Sequence, residues 1–140
     1  MAKLIFILGL CGSGKTPLTE SMKTKDPELY AIDEGFNPSA NPDFNDKFSQ
    51  VKKHLSGGHD CAIIEIEMCR EPFRSHLAGL FKDISDTEIK YICFENNLTK
   101  ANDNLSKPGQ RDPAGRKQIN NVLSPQYTIP PRSQILEIKT

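Results

Sequence analysis

Apolar runs recur along the chain as short blocks separated by polar, helix-patterned stretches. LIFIL, CAIIEI and YICF are nearly continuous in hydrophobicity, with little alternation. That is the pattern of parallel strands covered on both faces. Five segments read as strands: 3–8, 29–33, 61–67, 88–94 and 134–138. Between them the spacing turns helical. A helix is expected over 15–23. Phe44, Phe48, Val51 and Leu55 form one stripe that ends at Gly57-Gly58, and Phe73, Leu77, Leu80, Phe81 and Ile84 form another. Weaker helical patterns cover 98–105 and 116–123. Strands alternating with helices predict βαβ units, hence an α/β fold with a parallel sheet.

The first apolar run ends in GLCGSGKT, Gly9 to Thr16. The stretch satisfies G-x-x-x-x-G-K-[ST] and sits between a strand pattern and a helix pattern, the context this motif requires. Gly9, Gly12 and Gly14 let the backbone turn its amides inward as a nest for phosphate oxygens, with Ser13 within the same turn. The helix that follows adds the positive end of its dipole. Lys15 is placed to reach the β- and γ-phosphates of a nucleotide and Thr16 to put its hydroxyl on Mg²⁺. Pro17 falls in the first helical turn, where a missing N–H does no harm.

On these residues the sequence resembles the P-loop NTPase superfamily. In element order it is similar to the branch of small nucleoside and small-molecule kinases. The resemblance implies a three-layer αβα fold with a five-stranded parallel sheet, in which the Mg²⁺-side strand neighbours the phosphate-loop strand. It also implies ATP and Mg²⁺ as cofactors and a mobile, arginine-bearing lid before the last strand. The whole chain, 1–140, then forms one domain, with the lid at 106–117, SKPGQRDPAGRK. GTPase elements are missing: there is no N-K-x-D, and in Asp33-Glu34-Gly35 the glycine comes one position too early for D-x-x-G.

A small kinase also needs acids near the acceptor and the cation, and cations over the transferring phosphoryl. AIDEG places Asp33 and Glu34 at the end of the second strand, where ligands of open α/β sheets sit. The resemblance makes Asp33 the group that orients the acceptor hydroxyl, with Glu34 beside it. CAIIEIE resembles a Walker B strand, although aspartate is the usual acid there. Glu65 is then expected on the Mg²⁺ side and Glu67 toward the acceptor, the two sharing one face of a strand. Arg70 and Arg74 lie at i, i+4, in a region where nucleotide kinases grip the acceptor. In the lid, Arg111 and Arg116 are expected to stabilise the transferring phosphoryl or to contact adenine. Each of these charged groups also has a plain reading as a solvated or structural side chain.

Lys plus Arg and Asp plus Glu both total 18 in the 140 residues. The balance argues against non-specific nucleic-acid binding and leaves room only for a local basic groove. The four cysteines follow no zinc spacing and read as reduced, mostly buried thiols. His76 reads as a partly buried helix residue. In SPQYTIPP, Tyr127 and Pro130 read as packing groups. No leader or membrane span is evident, so the expected setting is cytoplasmic, and the expected reaction moves the γ-phosphate of ATP to a hydroxyl or phosphate of a small-molecule or nucleotide acceptor. The chain ends two residues beyond the last predicted strand. The expectation is that a homodimer partner or another helix covers the face left open. Two other functions stay open: an ATPase acting on a partner protein, and an end-directed polynucleotide kinase.

Overall fold

The computed structural model describes residues 1–84 and 87–140. Five strands build one sheet: β1 (Ala2–Leu8), β2 (Tyr30–Asp33), β3 (Cys61–Ile64), β4 (Thr87–Phe94) and β5 (Gln134–Leu136). Their order is β2-β3-β1-β4-β5 and every pairing is parallel. β1 lies in the middle, with Leu4 opposite Cys61 of β3 and Ile89 of β4. That position explains its sequence. A central parallel strand is covered on both faces, and Leu4, Phe6, Ile7 and Leu8 are fully buried.

Helices fill the connections: α1 (Lys15–Lys25), α2 (Phe44–Ser56), α3 (Phe73–Gly79), α4 (Leu98–Leu105) and α5 (Pro113–Leu123). They cover both faces of the sheet, giving the αβα sandwich. The apolar side of α2 carries Phe44, Val51 and Leu55 into the core. There Phe36, Phe44, Phe48 and Phe81 pack ring against ring, with centroids 4.7 to 6.2 Å apart. α2 stops at Gly57-Gly58, where Gly58 takes φ +84°.

Four expectations need correction. β3 ends at Ile64, and 66–69 coil into a 3₁₀ turn. The cause is Glu65, whose side chain accepts the N–H of Glu67 and caps that turn. Glu65 and Glu67 therefore do not share a strand face. α3 is shorter than its apolar stripe: Leu80 follows its end, and Phe81 reaches the core from the turns beyond. His76 is exposed rather than partly buried. The lid segment 106–117 is also divided, because α5 already begins at Pro113 with Asp112 as its N-cap.

Candidate phosphate-binding site

The glycine loop leaves the carboxyl end of β1 and turns into α1. Gly12 and Gly14 hold φ +87° and +109°, conformations that L side chains resist. At Gly12 there is a second constraint, since a Cβ there would come within 2.5 Å of the Ala101 carbonyl oxygen in α4. The first turn of α1 has N–H groups without helical acceptors, aimed back at the loop. Ser13 is buried, and its hydroxyl has no hydrogen-bond partner among the described residues.

Lys15 is 7 % exposed, yet its ammonium lies at the mouth of the loop. It donates to the Gly9 carbonyl at 2.7 Å and stands 3.7 Å from Glu34 Oε1. Thr16 donates its hydroxyl to Asp33 Oδ2 at 2.8 Å, tying α1 to the end of β2. Glu34 takes φ 69°, which folds its side chain back so that Oε2 accepts the Ile66 N–H at 3.3 Å. Glu65 is 4 % exposed, and its two oxygens accept the N–H groups of Phe36 and Glu67 at 3.1 and 3.0 Å. Burial pushes the Glu65 carboxyl above its ordinary value. The Glu67 N–H opposes that shift, and the charge of Glu34 adds to it.

Lys15, Thr16, Asp33 and Glu34 are thus gathered at one end of the sheet, with Glu65 behind them. They border a cleft of about 1190 Å³ that is also lined by Ser13, Pro17, Arg111 and Arg116. Arg116 reaches toward Gln110 and the Arg111 carbonyl, both at 3.5 Å. The other two arginines are engaged elsewhere. Arg70 is paired with Glu67. Arg74 is 5 % exposed and donates to Met68 O, Thr128 O and Thr128 Oγ1, with Glu71 at 3.3 Å. That guanidinium fastens α3 to the segment before β5 and points away from the cleft. Tyr127 is likewise a packing group, donating its hydroxyl to the Phe94 carbonyl.

Two residues of this region went unread in the sequence. Asn120 of α5 is fully buried and grips both backbone groups of Cys11. Its Oδ1 accepts the Cys11 N–H at 2.7 Å and its Nδ2 donates to the Cys11 carbonyl at 2.8 Å. Asn104 of α4 donates to the Gly12 carbonyl at 2.9 Å. An asparagine amid polar helix residues gives no signal of such a contact.

Whether these groups suit a nucleotide with Mg²⁺ can be judged from their chemistry. Among the described residues no group of three or more His, Cys, Asp or Glu could hold a metal ion by itself. Mg²⁺ usually keeps waters and takes one or two protein oxygens plus substrate phosphates, so a hydroxyl flanked by carboxylates fits it. Glu65 keeps acceptor capacity beyond its two backbone bonds. The orphaned Ser13 hydroxyl, the left-handed glycines and the buried ammonium fit a polyphosphate.

The fold is an α/β, αβα sandwich on a five-stranded parallel sheet, similar in fold to P-loop kinases. Three solved structures share this fold. A gluconokinase from Sinorhizobium meliloti 1021 aligns with TM-score 0.61 at 11% identity, over 99% of this chain and 83% of that one. Kti12 from Chaetomium thermophilum, in complex with ADP-AlF3, aligns with TM-score 0.59 at 18% identity, over 96% and 88%. A fungal RNA kinase aligns with TM-score 0.64 at 12% identity, over 100% and 76%. No family model matches the sequence, and no curated protein matches it. Among the described residues no helix is long and apolar enough to cross a membrane.

Proposed function

We propose that the chain binds ATP with Mg²⁺ and transfers the γ-phosphoryl to an acceptor hydroxyl. The observation that carries this reading is Lys15, a buried ammonium set at the head of α1 inside a left-handed glycine loop and facing a large cleft. Its ammonium pairs with Glu34 at 3.7 Å and donates to the Gly9 carbonyl, and a phosphate in the cleft would add a third partner to that shell.

In this reading the loop amides, Ser13 and Lys15 hold the phosphates, and Pro17 lines the same cleft. Thr16, with Glu65 behind it, would hold Mg²⁺, which supplies charge neutralisation on the phosphates. Asp33 orients the acceptor hydroxyl and takes its proton, while Glu34 positions Lys15 through their ion pair. Arg111 and Arg116, on the loop and helix that overhang the cleft, stabilise charge on the phosphoryl as the loop 106–112 closes. Arg74 has no part in it, being held inside the protein.

The names of the neighbours agree with this reading: two are kinases and a third was solved with ADP and a phosphoryl mimic. The test is transfer from γ-labelled ATP in the presence of Mg²⁺ and a pool of small hydroxyl compounds. Label should enter the pool with the wild type and fall at least a hundredfold with Asp33→Ala. Hydrolysis to free phosphate alone, stimulated by a partner protein, would favour an ATPase instead.

A further inference from the structure

A second space opens beside the main cleft, between the 3₁₀ turn 66–69 and the outer face of α5. It measures about 400 Å³, within the usual range for a small-molecule pocket. Ile66 and Ile119 line both spaces, so the groove adjoins the cleft whose wall carries Asp33 and Glu34 from the end of β2. Its walls contain one cation and one acid, Arg70 and Glu67. These neutralise each other: Nε and Nη2 of Arg70 both face Glu67 Oε2. The other polar groups are the amides of Gln118 and Gln126, and α5 adds an apolar wall that includes Ile119 and Val122, 46 % and 63 % exposed.

We propose that this groove is the acceptor site and that it takes an uncharged, hydroxyl-bearing molecule with one apolar face. In size such an acceptor is a nucleoside, a hexose or a comparable polyol. The inference rests on the phosphotransfer reading above. A phosphate or carboxylate on the acceptor would need a cation of its own. The groove's one cation among the described residues is already occupied by Glu67. A neutral acceptor leaves that pair intact and hydrogen-bonds to the amide of Gln118 and to the capacity Gln126 keeps beyond its bond from Nε2 to the Val122 carbonyl. Its apolar face then covers Ile119 and Val122. In the transfer, the acceptor oxygen forms a bond to Pγ of ATP while the bond from Pγ to the β–γ bridging oxygen breaks. ADP leaves with that electron pair, and the hydroxyl proton passes to the Asp33 carboxylate.

The experiment is ligand-observed NMR on the full chain with ADP and Mg²⁺. The probes are nucleosides, hexoses and polyols, each beside its phosphate monoester, together with a 5′-hydroxyl oligonucleotide. At least one neutral probe should bind about tenfold tighter than its monoester. Val122→Trp, at a position that lines the groove and not the cleft, should abolish that binding. Glu67→Gln should release Arg70 and move the preference toward the monoester. The proposal is overturned if monoesters or the oligonucleotide bind the wild type better, if no neutral probe binds, or if Glu67→Gln leaves the preference unchanged. ADP binding is read in the same samples. Its absence would sink the phosphotransfer reading, while the charge preference of the groove would still be measured by the probes alone.

Discussion

Lys15 has three donors and meets one carbonyl and one carboxylate, 2.7 and 3.7 Å away. The surrounding glycines set the backbone geometry that leaves it a clear approach to an anion. Gly12→Ala should therefore fail twice, through its left-handed φ and through collision with the Ala101 carbonyl. The backbone conformation alone costs about 1–2 kcal/mol. A lower midpoint in urea, together with weakened ATP-analogue binding, is the expected result. Glu65 gives a pH prediction. Its carboxyl is raised from 4.5, mainly by burial, so the folded chain holds a proton that the unfolded chain has lost. Its contribution to stability therefore declines as pH rises from about 4.5 through the folded value. Glu34→Gln removes a charge that helps to raise it, so this decline should shrink. Urea melts of both proteins at pH 4.5 and 7 measure the difference, and equal declines would contradict the coupling.

Among the elements, α5 joins Arg116 to the glycine loop. Arg116 and Asn120 are one turn apart, and Asn120 is bolted to Cys11. α5 is thereby anchored at the loop. Asn120→Ala would leave the Cys11 N–H and carbonyl unpaired, costing about 1–3 kcal/mol. It should also weaken nucleotide binding more than an equally destabilising change elsewhere. Arg74→Ala supplies that comparison. It should cost about 3 kcal/mol through the carbonyls it strands, while nucleotide affinity stays unchanged below the melting temperature. The elements themselves were legible, because LIFIL, CAIIEI and YICF are nearly continuous apolar runs of the kind that buried parallel strands need. The end of β3 was not. IIEIE continues the strand pattern, and only the tertiary burial of Glu65 turns its carboxylate onto its own chain. Arg74 misled for a similar reason, since helical spacing does not tell which face meets the segment 127–128. The start of α5 was readable, with Asp112 and Pro113 forming an N-cap and N1 pair, but the density of breakers around them read as loop.

For the whole molecule, the sheet order decides where chemistry can happen. The chain runs from β1 out to β2, back to β3, and then across β1 to β4, so a crevice opens at the carboxyl end of β1. The glycine loop fills that point, with Asp33 and Glu34 at the end of β2 and Glu65 just past the end of β3. The turn between β1 and α1 was legible in the sequence because its glycines are local. The sequence could not show which acids and arginines face the loop, because that depends on contacts made across the fold. The most direct measurement is isothermal titration of the chain with a non-hydrolysable ATP analogue and Mg²⁺, comparing wild type with Lys15→Ala. Micromolar binding, weakened at least a hundredfold by the substitution, is the predicted result. No binding by the wild type, or equal binding by both proteins, would contradict the assignment of this loop to phosphate.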